Sequence, residues 1–226
     1  MNKNSLCVFD AYGTLFDVHS AVARHREAVG PQAERLSELW RTKQLEYTWT
    51  LSLMGEYRDF WVLTQEALDY AAARCGGISS AVRADLLAAY QTLGAFPDAR
   101  ACLKRLRAGG AQTAILSNGT PAMLKAAVVG AGLGGLLDAV LSVDEIRVFK
   151  TAPAAYEMVA KRFGPGEVMF FSSNRWDVAG AARFGFSTVW GNRGAMPGEY
   201  AGLGGEREVR GLGEVEGLSS LKLSKR

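Results

Sequence analysis

Residues 5–17, with the sequence SLCVFDAYGTLFD, contain the strongest fold signal in the chain. The segment 5–9 is a short apolar run with β-forming residues, and it ends at Asp10 and a turn at Gly13. A continuous apolar run of this length is typical of a strand buried on both faces of a parallel sheet. We therefore predict a buried strand over 5–9, with Asp10 at its carboxyl end.

The following 70 or so residues show a helical pattern with no strand between them, as judged from their apolar spacing. Glycines and one proline separate the helical segments, as helix punctuation does. The segments are AVARHREAV (21–29), AERLSELWRTKQLEYTW (33–49), YRDFWVLTQEALDYAAARC (57–75) and SAVRADLLAAYQTL (80–93). This pattern predicts an inserted all-α unit.

Strand and helix patterns alternate after residue 97. The predicted strands are 113–116, 139–141, 168–171 and 187–190, and the predicted helices are 99–108, one beginning at Pro121, 153–163 and one near 178–184. Such alternation indicates right-handed βαβ units and a Rossmann-like doubly wound parallel sheet. The fold class is therefore α/β: a core of 1–16 and 97–226 carries a helical cap of 17–96.

Composition excludes several classes of protein. The 226 residues are 48% hydrophobic, and 26 Lys+Arg against 23 Asp+Glu give a formal charge of +3. These values disfavour collagen-like and disordered chains, and the scattered basic residues offer nucleic acid no continuous footprint. The three cysteines lack a CxxC pair, and the chain has no secretory h-region at its start and no apolar run long enough for a bilayer. We expect a cytoplasmic protein without nucleic-acid or membrane partners.

The segment VGAGLGG (129–135) matches the dinucleotide-binding pattern GxGxxG. That pattern requires a strand before it, a helix after it and an acidic residue about 20 positions later. Here the preceding segment has a helical pattern, and the residue 20 positions after Gly130 is Lys150. We interpret the glycines as a helix C-terminus, while a nucleotide-binding oxidoreductase stays an alternative.

Polar side chains follow four of the predicted strands. Each group has an ordinary explanation as a turn, a helix cap or a solvated charge. Ligands of open α/β sheets, however, bind at the carboxyl ends of strands, where these groups converge. The groups are Asp10 with Thr14, Ser117-Asn118-Gly119-Thr120, Lys150 with Tyr156, and Ser172-Ser173-Asn174-Arg175-Trp176-Asp177.

The motif DAYGTLFD (10–17), the SNG segment (117–119), Lys150 and the SSNRWD segment (172–177) together resemble the haloacid dehalogenase superfamily. The cap segment LWRTKQLEYTWTLSLMGEYRDFW (39–61) narrows the resemblance to its (S)-2-haloacid dehalogenases, also called L- or type II enzymes. The resemblance extends to about residue 192. Two positions depart from it: Thr42 stands where Gln is expected, and Thr151 stands where Pro is expected, which predicts an altered pocket wall and a less rigid loop after Lys150.

The resemblance implies hydrolytic dehalogenation without metal or cofactor. Asp10 attacks C2 of a short (S)-2-haloacid, halide leaves, and water hydrolyses the aspartyl ester to give an (R)-2-hydroxy acid. The implied catalytic residues are Asp10, Thr14, Lys150, Tyr156, Ser172, Asn174 and Asp177. The implied substrate- and halide-binding residues are Tyr12, Arg41, Leu45, Phe60, Ser117, Asn118 and Trp176. The resemblance also implies a homodimer.

A Mg²⁺-dependent phosphatase of the same superfamily is the main alternative. Those enzymes carry the motif DxDxT after the first strand, and the second acid of that motif protonates the leaving group. Tyr12 occupies that position here and cannot act as an acid and base at neutral pH. Asp10 and Asp177 with Lys150 beside them also make a poor magnesium site. A binding protein without catalysis is a further alternative, and we interpret His19 and His25 as surface residues.

Overall fold

The computed structural model describes residues 5–205 and 207–217, and within them six strands form one all-parallel sheet. The order β3-β2-β1-β4-β5-β6 places β1 inside the sheet, where Phe9 pairs with Ile115 and Phe171. The strands are β1 (Leu6–Phe9), β2 (Gln112–Ser117), β3 (Ala139–Ser142), β4 (Val168–Ser172), β5 (Ser187–Gly191) and β6 (Arg207–Val209). The predicted parallel α/β fold is confirmed.

The segment between β1 and β2 supplies the cap helices: α1 (Ser20–Arg24), α2 (Arg26–Val29), α3 (Ala33–Met54), α4 (Phe60–Arg74) and α5 (Ser80–Gln91). Side-chain caps begin two of them, since Asp59 accepts from the Val62 N–H and Ser79 from the Val82 N–H. α3 ends at Gly55, which has φ +72, a conformation that favours glycine. The single helix predicted over 21–29 is wrong: the chain leaves helical geometry at His25, which separates α1 from α2.

Over the described ranges, four further helices flank the sheet: α6 (Ala99–Ala108), α7 (Pro121–Gly130), α8 (Pro153–Phe163) and α9 (Arg175–Phe184). Proline stands in the first turn of α7 and α8, where its missing N–H costs nothing. The bounds predicted for α6 and α8 are confirmed. The predicted start near 178 is wrong, because α9 begins at Arg175 and so places Asp177 in its first turn. Short 3₁₀ helices cover Gly134–Leu136, Val143–Glu145 and Leu212–Glu214.

The glycine-rich segment 130–135 ends α7, as predicted. Gly132 has φ +63, and the Leu133 N–H turns back to donate to the Val128 carbonyl at 2.9 Å. The segment therefore follows a helix and not a strand, unlike a dinucleotide-binding loop.

The chain enters and leaves the cap at one place beside β1. The Phe96 N–H donates to the Leu15 carbonyl at 2.8 Å, and Arg193 joins both sides of this junction. Its guanidinium forms an ion pair with Asp98 at 2.9 Å and donates to the Thr14 carbonyl at 3.3 Å. The division into 1–16 with 97–226 and 17–96 agrees with this arrangement but stays a prediction. Among the described residues, no helix is both long and apolar enough to cross a bilayer.

Candidate active site

Asp10 is the centre of the polar cluster at the carboxyl ends of the strands. Its backbone N–H donates to the Phe171 carbonyl at 2.9 Å, which fixes the residue between β1 and β4. Three donors hold its carboxylate: Lys150 Nζ lies 3.1 Å from Oδ1, while Thr14 Oγ1 and Asn174 Nδ2 lie 3.0 and 2.8 Å from Oδ2. Asp10 is only 5% exposed. A buried carboxylate with this many donors stays fixed in one orientation.

Lys150 lies buried between two carboxylates. Its Nζ contacts Asp10 at 3.1 Å and Asp177 Oδ2 at 2.8 Å, and its backbone N–H donates to Asn118 Oδ1 at 3.0 Å. Burial alone lowers the pKa of Lys150, but the charges and hydrogen bonds of Asp10 and Asp177 outweigh burial and raise this pKa above its usual value. Lys150 is therefore an ammonium cation at neutral pH.

Asp177 completes this buried triad. Burial raises the pKa of its carboxyl to about 6, and the charge of Asp10 adds to the effect although Lys150 opposes it. The Tyr156 hydroxyl donates to Asp177 Oδ1 at 2.8 Å. Burial also raises the pKa of Tyr156 well above its usual value, so this hydroxyl keeps its proton. Burial of the Asp177 carboxylate, with the charge of Asp10 added to it, outweighs the ion pair with Lys150, so the pKa of Asp177 rises.

The loop after β4 braces the nucleophile loop after β1. The Ser173 N–H donates to Thr14 Oγ1 at 2.8 Å, so the Thr14 hydroxyl is free to donate to Asp10. Ser172 Oγ accepts from the Asn174 N–H at 3.1 Å, which places Ser172 behind Asn174. Gly13 has φ +94, and the Asn174 amide lies against it. Glycine is favoured here by its positive φ.

The cap reaches this cluster through Arg41 on α3. Arg41 Nη2 donates to the Tyr12 carbonyl at 3.0 Å and lies 3.4 Å from Asn174 Oδ1, and its Nη1 donates to Gln44 Oε1 at 2.7 Å. Asn174 Nδ2 also donates to the Tyr12 carbonyl, at 3.1 Å. The Asn174 amide therefore connects the Asp10 carboxylate with the Arg41 guanidinium.

The predicted apolar residues lie on both sides of the cap interface. The buried Tyr12 ring lies 5.9 Å from the rings of both Phe60 and Tyr90, and Leu45 is buried on α3. Burial raises the pKa of the Tyr12 phenol far above its usual value, so Tyr12 does not exchange a proton near neutral pH. The ring also covers Gly119, where an added Cβ would lie 2.6 Å from Tyr12 Cε2.

Ser117 is the last residue of β2 and Asn118 follows it, and both lie beside this cluster. Ser117 Oγ accepts from the Gly119 N–H at 3.1 Å, which leaves its hydroxyl proton to donate. Asn118 uses Oδ1 to accept from the Lys150 backbone, so its Nδ2 remains as a donor. Both side chains are buried.

Trp176 has a different neighbourhood from the other predicted residues. Its ring packs edge-on against Trp49 of α3, with centroids 5.4 Å apart. Both indoles line a cavity of about 660 Å³ that also borders Thr151 and Tyr200. A role of Trp176 in binding halide therefore stays a prediction.

Thr42 is exposed on α3. His19 is exposed and His25 is half-buried.

A divalent cation does not fit between Asp10 and Asp177, because Lys150 Nζ contacts both carboxylates. Within the described ranges, no three His, Cys, Asp or Glu side chains are close enough together to hold a metal. Tyr12 also takes the place where the phosphatase pattern has its second acid. The donor set therefore does not match magnesium, which prefers several carboxylate and water oxygens.

Two cap residues beside Arg41, Gln44 and Tyr90, are not among the residues predicted for the site. Gln44 could be found from its position three residues after Arg41, because side chains at i and i+3 are neighbours on a helix. Tyr90 lies 46 residues further along the chain, and no local signal connects the two.

Comparisons with known proteins agree with this geometry. Residues 5–185 match the model of the haloacid dehalogenase-like hydrolases. The chain is 46% identical over 223 residues to (S)-2-haloacid dehalogenase 4A of Burkholderia cepacia, covering 97% of this chain and 96% of that one. It is 47% identical over 221 residues to (S)-2-haloacid dehalogenase 1 of Pseudomonas sp. strain CBS-3, covering 96% of this chain and 97% of that one. A solved structure of L-2-haloacid dehalogenase from Xanthobacter autotrophicus with chloropropionic acid covalently bound superposes with a TM-score of 0.83, at 39% identity over 96% of this chain and 97% of that one.

Proposed function

The chain belongs to the haloacid dehalogenase-like hydrolase family, and on that premise we propose that it hydrolyses short (S)-2-haloalkanoic acids to (R)-2-hydroxy acids. The observation that supports this most directly is the buried Asp10 carboxylate, held by Lys150, Thr14 and Asn174 beneath the arginine of the cap. The similarity of the full-length chain to several (S)-2-haloacid dehalogenases agrees with this assignment.

In the first step, Asp10 is the nucleophile. Oδ2 receives two hydrogen bonds and Oδ1 receives one, from Lys150, so Oδ1 keeps more lone-pair density for attack on C2. The new Oδ1–C2 bond forms as the carbon–halogen bond breaks, and the halogen leaves with the electron pair. One in-line displacement inverts C2 and leaves an ester on Asp10.

Arg41 stabilises the departing halide. A halide is a diffuse anion, and a guanidinium is a weakly hydrated cation with little reorganisation cost. Arg41 is half-buried and reaches the nucleophile loop through the Tyr12 carbonyl. The Asn118 amide and the Trp176 indole complete the halide site in this proposal.

In the second step, water attacks Cγ of the Asp10 ester. The developing negative charge falls on Oδ2, where the Thr14 hydroxyl and the Asn174 amide already donate. The Cγ–Oδ1 bond then breaks, so the ester and one water yield the Asp10 carboxylate, the 2-hydroxy acid and a proton. Asn174 and Asp177 position the water, Ser172 supports Asn174, and Lys150 and Tyr156 hold Asp177 in place.

The substrate carboxylate binds near the end of β2. The Ser117 hydroxyl is one donor, and backbone N–H groups after Asp10 are the others. Within that loop, the Gly13 and Thr14 N–H groups donate to the Phe16 and Ala11 carbonyls. This narrows the expected backbone donors to residues 11 and 12. The rings of Tyr12 and Phe60, with Leu45, limit the side chain at C2 to a short one.

Halide release tests the proposal. The wild-type enzyme should release chloride from (S)-2-chloropropionate with EDTA present, and Asp10→Asn should release none. A single turnover in H₂¹⁸O should place the label in Asp10 and leave the first product unlabelled, because the product oxygen comes from Oδ1. Chloride release that requires added Mg²⁺, or label in the first product, would contradict this mechanism. Turnover of p-nitrophenyl phosphate with Mg²⁺ would favour the phosphatase alternative.

We further propose that the enzyme acts as a homodimer in the cytoplasm. The three cysteines are unpaired in the described structure, which fits a reducing compartment. Leu53 and Met54 at the end of α3 are 88% and 65% exposed, and large exposed apolar side chains suit a subunit contact. Light scattering of wild type and of Leu53→Asp would test the dimer, since the proposal requires the substitution to yield monomers.

A further inference from the structure

A buried polar network lies inside the cap, behind Arg41. Its centre is Gln44, whose side chain is fully buried. Gln44 Oε1 accepts from Arg41 Nη1 at 2.7 Å, and Nε2 donates to Thr64 Oγ1 at 2.7 Å and to the Tyr90 hydroxyl at 3.0 Å. A buried amide costs free energy unless both its ends are satisfied, and here both are.

The network permits only one orientation of the Gln44 amide. The Thr64 hydroxyl donates to the Phe60 carbonyl at 2.6 Å, so Thr64 Oγ1 is left to accept. A rotated amide would place the Gln44 NH₂ against the Arg41 NH₂, donor against donor. Thr64 therefore directs the Gln44 oxygen toward Arg41.

Gln44 and the core hold opposite ends of one guanidinium. Nη1 is bound by Gln44 on the cap side, while Nη2 is bound by the Tyr12 carbonyl and lies near Asn174 Oδ1. Two separated hydrogen bonds fix the plane of an arginine that would otherwise occupy several rotamers. The network also contacts the pocket wall, because the Tyr90 and Tyr12 rings stack at 5.9 Å.

We propose that Gln44 is a positioning residue that holds the Arg41 guanidinium ready for the departing halide. This rests on the proposed role of Arg41 as the halide site. Glutamine suits the task because its amide oxygen orients the guanidinium without neutralising its charge. A glutamate in the same place would form an ion pair and weaken the attraction to halide.

Two variants with a matched control test the proposal. Gln44→Met removes the acceptor at similar length, and Gln44→Glu keeps an acceptor but adds a charge. Gln65→Met removes a glutamine amide from α4 that is half-buried and lies 3.5 Å from the Trp61 carbonyl, away from Arg41. Thermal melting and circular dichroism establish that each variant is folded. Bromide binding is followed by tryptophan fluorescence quenching, and ester formation and ester hydrolysis are measured in single turnovers.

Both Gln44 variants should slow ester formation by about 10- to 100-fold, the range for losing a hydrogen bond to a charged group. The loss should be larger for (S)-2-chloropropionate than for the bromo analogue, because chloride is the poorer leaving group. Bromide should bind more weakly, most of all to Gln44→Glu, while ester hydrolysis stays at the wild-type rate. Gln65→Met should match the wild type in every measurement.

Folded Gln44 variants with wild-type bromide affinity and an unchanged chloro-to-bromo ratio would overturn the proposal. An equal loss of rate in ester formation and in ester hydrolysis would also overturn the proposal, since a general packing defect slows both steps. If Gln44→Met does not fold, Gln44→Glu carries the same test. A wild-type protein that binds bromide but releases no halide would refute the proposed function instead, and the bromide measurements would still decide the role of Gln44.

Discussion

Replacing Lys150 by Met removes the cation that two buried carboxylates share. Nζ lies 3.1 Å from Asp10 and 2.8 Å from Asp177, and the side chain is fully buried. At an effective dielectric constant of about 20, opposite unit charges ~3 Å apart attract by about 5 kcal/mol. Desolvation of the ammonium offsets part of each attraction. Breaking a buried ion pair from one side typically costs about 3–5 kcal/mol, which we expect for Lys150→Met near neutral pH.

The cost should depend on pH in a defined direction. The raised pKa of Asp177, about 6 against 3.8 in the unfolded chain, means that folding favours its protonated form. This contribution to stability is present below pH 3.8 and is lost as pH rises through about 6. Lys150 lowers the pKa of Asp177, so without Lys150 that pKa rises further. The free energy of unfolding then falls more steeply as pH rises. Lys150 itself has a pKa above 10.5, so its own charge does not change in this range.

Chemical denaturation at about pH 5 and about pH 8 measures the effect, with tryptophan fluorescence as the signal. Lys150→Met should lose more free energy of unfolding at the higher pH, and its halide release should fall by about 100- to 1000-fold. The control is Lys161→Met on α8, where an ion pair with Glu157 is 68% and 50% exposed and contributes little. A destabilisation that is equal at both pH values, or none at all, would refute the buried triad.

Two further substitutions test single contacts. Tyr156→Phe removes a hydrogen bond that lowers the pKa of Asp177, so the acidic limb of the pH–rate profile should move to higher pH; an unmoved limb would separate Asp177 from catalysis. Gly119→Ala places a Cβ 2.6 Å from Tyr12 Cε2, so the ring must shift. This shift should lower the free energy of unfolding by about 1–3 kcal/mol, measured by thermal denaturation. The same substitution should change the ratio of kcat/KM between chloroacetate and (S)-2-chloropropionate, whereas an unchanged ratio would place Tyr12 outside the pocket wall.

Sequence patterns predict the core of this site because β1 and its neighbours are ordered by simple rules. Apolar runs locate the strands, and parallel strands bring the residues that follow them to one edge. Asp10, Lys150 and Asp177 are predictable in this sense, and in the structure hydrogen bonds connect them. The start of α9 is less predictable, because asparagine, arginine and tryptophan at 174–176 suit a loop and a first helical turn about equally.

The part of the site that the cap supplies depends on contacts between helices, which local sequence patterns do not predict. Gln44 and Tyr90 belong to separate helices and meet only after α3 and α5 have packed in the cap. The direction of Trp176 likewise depends on Trp49, which approaches from the cap. The sequence does not predict β6, because its three residues follow a glycine-rich segment and, within the part of the chain that the structure describes, pair only with β5.

The shared cation also sets which ions the site tolerates. Asp10 and Asp177 carry two negative charges, and Lys150 and Arg41 carry two positive ones, so the resting site is electrically neutral. A 2-haloacid brings one negative charge, and ester formation transfers the charge of Asp10 to a halide that can leave. A phosphate monoester would bring about two charges, and both would remain on the phosphoryl group after its transfer to Asp10, in a low-dielectric site. This charge balance favours monoanionic substrates independently of the shape of the pocket.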